Sequence, residues 1–421
     1  VGRRPPLPPG PWLVVGLARS GSAALDVLRA RGEEARGVDR RQGDDTPDAL
    51  HGVRAVVKSP GVPARAAVVA AARERGLPVL GELELAWRLL PNEFIAVTGT
   101  NGKTTTVELI GHIHRESGLP VAVAGNVGTA LSSIVDRLPA EATVVCEASS
   151  FQLEDAVEFA PEAAVLLNVA PDHLDRHGSL EAYRAAKLRV FAHQGNDDVA
   201  VAPLGLGVED LGGCARRVCF GDGTQAELAD RAGHLWWDDE PLLAVEEIGL
   251  RGLHNRRNAM AAAAVCLARG VDVEAVRAGL RTFAGVEHRL EDVATLDGVL
   301  FVNDSKATNV DSTLVALASF DVPVHLILGG QGKGQDFEPL RAPVAERCAG
   351  VYLIGEDAGR IGAAVGGRSC GTLESALDAA VAAARSGEVV LLSPACASFD
   401  QFEDFEARGR AFKEMVAARR T

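Results

Sequence analysis

The stretch "VTGTNGKTTT", residues 97–106, joins an apolar strand candidate to a helix candidate through a glycine turn ending in Lys103 and Thr104. That order suits a polyphosphate. Backbone N–H groups and the start of a helix attract phosphate oxygens, a lysine reaches the terminal phosphates, and the neighbouring hydroxyl holds Mg²⁺. The strict phosphate-loop spacing asks for Gly five residues before Gly102, where Val97 stands, so "TGTNGKTT" is a shorter variant. The residues expected at the nucleotide are Gly99, Asn101, Gly102, Lys103, Thr104 and Thr105. Glu147 follows the strand candidate "TVVC", and His173 follows "VLLN". In open α/β sheets ligands gather beyond the carboxyl ends of strands, so both are expected at the edge of a Mg²⁺-nucleotide. Oxygen is the usual ligand for Mg²⁺ and imidazole an unusual one. His177, four residues on, has no third ligand at zinc spacing and reads as a surface histidine.

These residues need a scaffold, and the flanking pattern supplies one. "WLVVGLA" (12–18), "EARGVD" ending at Asp39, and "RAVVKSPGVP" read as strands, with a helix in "RSGSAALDVLRARG". Strands alternating with helices at this spacing predict a mostly parallel sheet. A second unit starts near Pro91. It runs through "FIAVTG", "KTTTVELIGHIHRESG", "PVAVAGNVG", "ATVVCEASS", "AAVLLNVAPDHLD", a helix from about Ser179 to Ala192, and "DVAVAP". Between 211 and 248, "RRVCF", "GHLWW" and "PLLAV" read as an antiparallel appendage. "HNRRNAMAAAAVCLARG" (254–270) is an alanine-rich helix. From about Val286, "GVLFVND", "VHLILGG", "GVYLIG" and "EVVLLSP" are four buried strand candidates. The expected fold is α/β in three domains: Rossmann-like 1–90, a phosphate-loop ATPase-like 91–285 with a small antiparallel appendage, and Rossmann-like 286–421.

Composition narrows the function. The chain has 421 residues, 47% hydrophobic and 24% charged, with a formal net charge of −14. That is a globular balance with material for two or three domains of roughly 100–200 residues. There is no basic stripe, which argues against a nucleic-acid partner. The seven cysteines show no CxxC pair and no zinc-like cluster, as expected of free thiols in a reducing cytoplasm. No apolar run approaches the ~20 residues that span a bilayer. The start, "VGRRPPLPPGPWLVVGLARSG", reads as a proline-rich lead-in and first strand rather than a signal peptide.

The motifs in combination resemble the Mur ligases. Besides the phosphate loop they are "EASSFQLE" (147–154), "NVAPDHLDRHGS" (168–179), "YRAAKLRVF" (183–191), "GLHNRRNA" (252–259), "EHRLE" (287–291), "NDSKATN" (303–309), "LGGQGKGQDF" (328–337) and "SPACASFDQF" (393–402). The resemblance covers essentially the whole chain in order, and is greatest to the D-glutamate-adding members. It implies amide formation: a carboxylate of UDP-N-acetylmuramoyl-L-alanine is phosphorylated by ATP, and the amine of D-glutamate attacks the acyl phosphate. It implies that Lys103 and Thr104 bind ATP phosphates and a first Mg²⁺ with Glu147, and that His173 reaches a second. Lys187 would carry a carbamate and so become an anionic ligand. Asn255 would approach the adenine, Asp304 the ribose, Arg289 the phosphates, and Lys306 the transferring phosphoryl group. Thr308, Lys333, Ser398 and Phe405 would form the D-glutamate pocket. "GLARSG" and "SPG" would cradle the UDP-sugar with Ser20, Ser59 and Gly61, while Asp39 and Asn126 lie toward the uridine. Arg19 departs from the small or polar residue expected in that turn. The last domain would close over ATP, with hinges near 90 and 285. A cytoplasmic monomer that inserts in no membrane is the implied form.

Three alternatives stand beside this reading. A different amino-acid-adding Mur ligase would show a longer glycine signature at its N-terminus or a "DNPR"-like stretch in its last domain. A folylpolyglutamate synthase-like ligase would lack the 1–90 domain. A non-catalytic ATP-dependent switch would leave Lys187, Lys333 and Ser398 without purpose. A dehydrogenase is excluded because "GLARSG" is not GxGxxG.

Overall fold

The computed structural model describes residues 4–126, 128–206, 210–332 and 334–420. It forms two compact units, Val1–Gly249 with His254–Phe283, and Leu250–Leu253 with Ala284–Thr421. The fold is α/β and contains three sheets.

The first sheet comprises β1 (Trp12–Val15), β2 (Ala35–Val38), β3 (Ala55–Lys58) and β4 (Val79–Gly81) in the order β2-β1-β3-β4, all parallel. "WLVV" and "AVVK" are buried throughout, as strands covered on both faces are. Helix Glu82–Leu89 leads out of this sheet with Leu83, Leu85, Ala86 and Trp87 buried.

The second sheet of the same unit has nine strands: β5 (Phe94–Thr98), β6 (Val121–Gly125), β7 (Thr143–Glu147), β8 (Ala163–Leu166), β9 (Val199–Pro203), β10 (Arg216–Asp222), β11 (Leu228–Arg231), β12 (His234–Trp237) and β13 (Glu240–Ala244). The order β13-β12-β11-β10-β9-β8-β5-β7-β6 puts β5, which carries the phosphate loop, between β8 and β7. The side chains that follow these three strands therefore emerge at one edge. The antiparallel appendage exists in β11–β12–β13, and it is hydrogen-bonded to the main sheet, because β10 pairs parallel with both β9 and β11.

These two sheets share apolar packing. Trp12, Leu83, Trp87, Phe94, Leu153 and Phe159 belong to one apolar cluster. Phe159 meets Trp87 edge-on at 5.6 Å and Phe94 at 6.2 Å, an arrangement the aromatic quadrupole favours.

The second unit holds β14 (Glu291–Leu296), β15 (Val299–Asn303), β16 (Val324–Gly329), β17 (Cys348–Ile354), β18 (Arg368–Gly371) and β19 (Val389–Leu392), ordered β14-β15-β19-β16-β17-β18. The four expected strands are β15, β16, β17 and β19. The edge strands β14 and β18 have few buried residues, so no apolar run announced them. Among the described residues only β14 runs antiparallel to its neighbour in this sheet. Among the described residues no helix is long and apolar enough to cross a membrane.

Candidate active site

Beyond β5 the chain turns through Gly99–Gly102 into helix Lys103–Glu116. Gly102 holds φ 88°, and a Cβ there would lie 2.2 Å from Asn258 Oδ1, so conformation and packing both require glycine. Asn258 donates to Asn255 Oδ1 at 3.2 Å, which seats the predicted adenine residue beside the loop's support. On the other side Asn168 Oδ1 accepts from the N–H groups of Thr100 (3.1 Å) and Asn101 (2.9 Å), and its amide donates to Asn101 O at 3.0 Å. Two asparagines far apart in sequence thus shape the loop.

Two lysines converge on it. Lys103 Nζ donates to Gly99 O and Thr100 O, both at 2.9 Å, and Lys187 Nζ donates to the same Gly99 O at 2.7 Å. Lys187 lies in the last turn of helix Leu180–Leu188 and is buried, with Nζ 4.3 Å from the centre of the Tyr183 ring. Burial, and then repulsion from Lys103, lower its pKa to about 7. Lys187 is therefore not the exposed lysine that a helix of this composition would ordinarily carry.

Glu147 ends β7 and is buried. Its Oε2 accepts from Thr104 Oγ1 at 2.8 Å and its Oε1 from Asn126 Nδ2 at 3.0 Å. Asn126 thus stands on the phosphate side through its amide. Thr105 is buried under the loop. His173 has φ 51°, a half-exposed ring 3.4 Å from Asp172 Oδ2, and Phe151 at 4.9 Å between ring centres. Among the described residues no three His, Cys, Asp or Glu side chains form a ready metal cage.

His177 is not a surface residue. Its side chain is 2% exposed, with Nδ1 3.0 Å from Glu154 Oε1 and Nε2 3.0 Å from Ser150 Oγ. The short helix Leu174–His177 turns the imidazole inward, between Phe151 at 5.5 Å and Tyr183 at 5.0 Å.

The turns of the first sheet are built from within. Asp39 Oδ2 accepts from Leu17 N at 2.7 Å and its Oδ1 from Arg41 N at 2.9 Å, and these bonds hold its pKa below the usual carboxylate value. Ser59 Oγ donates to Gly16 O at 2.6 Å, joining the two turns. A Cβ on Gly21 would lie 1.8 Å from that same carbonyl, so the helix start packs directly on the turn. Ser20 and Gly61 lie at the rim, half-buried and exposed. Arg19 is exposed and donates to Gly128 O at 2.7 Å.

In the second unit Asp304 follows β15. Its Oδ2 accepts from Ser393 Oγ at 2.7 Å and its Oδ1 from Leu290 N at 3.2 Å. Burial raises its pKa to about 7 against these bonds and the nearby Arg289 charge. Lys306 donates its N–H to His288 O at 3.0 Å, and its ammonium lies 5.9 Å from the Phe405 ring centre. Thr308 N donates to Lys306 O at 2.9 Å. Ser398 is buried, and its hydroxyl has no hydrogen-bond partner among the described residues. Lys333 lies outside the described residues. Sequence reasoning missed Arg408. Its buried guanidinium donates to Ser305 Oγ (2.9 Å), Ser305 O (2.9 Å) and Cys396 O (3.0 Å), while Ser305 Oγ donates to Phe405 O at 2.8 Å. One cation thereby ties together the segments that carry Lys306, Ser398 and Phe405.

Comparison with known proteins gives this geometry a context. Residues 97–266 match the Mur ligase middle domain and residues 288–396 the Mur ligase glutamate ligase domain. The chain is similar to the UDP-N-acetylmuramoylalanine–D-glutamate ligase of Acidobacterium capsulatum, 41% identical over 460 residues, covering 97% of this chain and 96% of that protein. It is also similar to the protein of the same name from Anaeromyxobacter dehalogenans, 43% identical over 449 residues, with 96% of each covered. Among solved structures, the UDP-N-acetylmuramate–alanine ligase of Thermotoga maritima shares the fold, with a TM-score of 0.63, 19% identity, and coverage of 97% of this chain and 100% of that one. So does a pseudomurein peptide ligase type C from Methanothermus fervidus, with TM-score 0.59, 15% identity, and coverage of 97% and 99%.

Proposed function

This chain belongs to the Mur ligase family, and from that premise we infer that it joins D-glutamate to UDP-N-acetylmuramoyl-L-alanine, using ATP, in peptidoglycan precursor synthesis. The substrate carboxylate attacks the γ-phosphorus of ATP and ADP leaves. The D-glutamate amine loses a proton and attacks the acyl phosphate carbon, and inorganic phosphate leaves from the tetrahedral intermediate. A carboxylate is a poor electrophile with a poor leaving group, and phosphorylation removes both obstacles.

The observation that carries this reading is the meeting of Lys103, Lys187, Thr104 and Glu147 around the turn after β5. Lys103 can exchange two backbone carbonyls for phosphate oxygens and offset the charge that develops there. The donor set also fits Mg²⁺ in part. The Thr104 hydroxyl and the Glu147 carboxylate are hard oxygen donors, of the kind that Mg²⁺ takes together with substrate phosphates. Lys187 is no ligand as an amine. With a pKa near 7 it is substantially neutral at physiological pH, the form that adds CO₂, and a carbamate would give the site oxygen donors. Mg²⁺, when bound, supplies positive charge to the phosphates.

The remaining assignments belong to the same proposal. Residues 1–90 bind the UDP-sugar through Ser20, Asp39, Ser59 and Gly61, joined by Asn126 from the neighbouring segment. Residues 91–285 hold ATP through the loop and Asn255, and His173 reaches a second Mg²⁺. Residues 286–421 supply Arg289, Asp304 and Lys306 for the nucleotide, and Thr308, Lys333, Ser398 and Phe405 for D-glutamate. The enzyme acts as a monomer in the cytoplasm, where both nucleotides are made.

Phosphate release with ATP, Mg²⁺ and UDP-N-acetylmuramoyl-L-alanine tests this, comparing D-glutamate with L-glutamate, glycine, L-alanine and a diamino acid. Release and a mass-detected adduct with D-glutamate alone is the expected result. Turnover with another amine would replace the assigned pocket, and no product with any amine would overturn the reaction.

A further inference from the structure

Two adjacent carboxylates, Glu154 and Asp155, follow the helix Ser150–Leu153 that begins three residues after Glu147. Each takes a cation that also grips the turn after β3. Lys58 Nζ pairs with Asp155 Oδ2 at 2.7 Å, with both side chains buried, and donates to Val62 O at 2.7 Å. Arg176 Nη2 lies 3.4 Å from Glu154 Oε2, and its Nη1 donates to Pro60 O at 3.1 Å. Its guanidinium sits 3.7 Å from the centre of the Phe151 ring, the ring that also packs against His173. Glu154 uses its other oxygen on His177, and the backbone N–H groups of Arg176 and His177 both donate to His173 O.

The turn 59–62 is thus held at three carbonyls, those of Ser59, Pro60 and Val62, and both holding cations are anchored on the segment that runs from Glu147. Arg176 additionally shares a four-residue helix and an aromatic partner with the His173 loop. A guanidinium suits this task because its flat fork donates in two directions while its face lies on a ring. A lysine could make only one of these contacts well.

We propose that Arg176 is a positioning residue, which together with Glu154 couples the 59–62 turn to the His173 loop and so sets where the nucleotide-sugar carboxylate stands relative to the phosphate loop. This rests on the reading that the turn binds that substrate. Arg73 offers an internal contrast. It also meets Asp155, at 3.2 Å, but its side chain is 45% exposed.

The experiment compares the full chain with Arg176→Met, Arg176→Lys and Arg73→Gln. A misplaced reacting group costs up to ~10²-fold. Arg176→Met is expected to lose about that much kcat/KM for UDP-N-acetylmuramoyl-L-alanine, with the KM for ATP unchanged. Millimolar guanidinium is expected to restore part of the loss, Arg176→Lys to recover only a little, and Arg73→Gln to match the unaltered chain. Equal rises in both KM values, or no rescue, would reduce Arg176 to a structural brace and overturn the proposal. Amide hydrogen exchange gives a readout independent of turnover. Arg176→Met should speed exchange in residues 59–63 together with residues 172–178. Faster exchange in 172–178 alone would overturn the coupling. If the unaltered chain shows no ligation, the functional reading fails, while the exchange result still decides the coupling.

Discussion

Around the phosphate loop the polar groups already serve one another, whereas in the second unit the buried Ser398 hydroxyl has no hydrogen-bond partner among the described residues. Lys103 and Lys187 share Gly99 O, and Thr104 and Asn126 divide the two oxygens of Glu147. A ligand arriving there must exchange several internal bonds for its own, which favours a polyanion with many oxygens and penalises a ligand with few. Asp304, in the same unit as Ser398, has both carboxylate oxygens hydrogen-bonded, yet burial lifts its pKa to about 7. On the proposed assignment a ligand arriving at Ser398 would offer its hydroxyl a partner and recover a desolvation cost of ~1–3 kcal/mol. On the proposed assignments, the first centre would select by exchange and the second by completion.

Breaking the exchange centre should have the largest effect. Lys103→Ala is expected to lose ~10³-fold in kcat, the scale of removing one well-placed donor from a developing charge. Its unfolding temperature should change little. Phosphate release at saturating ATP measures this, and retained turnover would remove the loop from the comparison.

Asp304 sharpens the other side through pH. Burial lifts its carboxyl pKa from 3.8 to about 7. The folded state therefore binds this proton more tightly than the unfolded state. The resulting stability is fully present below the unfolded value of 3.8 and is lost as the pH rises through about 7. Asp304→Asn cannot ionise and escapes that loss. Its stability relative to the native chain should rise from pH 4 to pH 7 and stay level above, by no more than about 4 kcal/mol. Thermal unfolding at pH 5 and pH 8 checks the sign. An identical offset at both would mean that the carboxyl titrates as an exposed group.

The Lys187 amine should follow the opposite course. Its neutral fraction rises about tenfold between pH 6 and pH 8 for a pKa near 7. At fixed dissolved ¹³CO₂ a carbamate carbon resonance should grow over the same interval and be missing from Lys187→Arg. A resonance that does not change with pH would sever the link between burial and carbamate formation.

The smallest effect belongs to Ser398. Ser398→Ala should raise the KM for D-glutamate about tenfold, or ~1.4 kcal/mol, without lowering the unfolding temperature, because its hydroxyl makes no hydrogen bond among the described residues. A loss of stability equal to the loss of binding would show the hydroxyl to be part of the fold's own network.

These effects involve residues of unequal legibility. The strands of the three sheets were readable wherever a run is buried on both faces, as in "WLVV" and "VHLILG". The edge strands β14 and β18 were not, since their residues are mostly exposed or half-buried. Thr104 and Glu147 could be paired in advance because parallel strands deliver their carboxyl ends to one edge. Asn168, Asn258, His177 and Arg408 could not, because each acts on a partner far along the chain or inside a turn, and a single polar residue carries no sign of that. Lys187 looks like any helical lysine in sequence, and the resemblance to the family's motifs singled it out. Its depressed pKa arises only once helix Leu180–Leu188 packs it beneath Gly99.

The apolar cluster shared by the first two sheets has a consequence for how the chain comes off the ribosome. Trp12 and Trp87 emerge early, yet Phe94, Leu153 and Phe159, which close over them, are synthesised later. The N-terminal sheet cannot finish its own interior when residue 90 appears, and must wait for about seventy further residues, a delay of several seconds at ordinary elongation rates. During that interval its apolar face is open to chaperones and to aggregation. A fragment ending at residue 90 would make that exposure permanent.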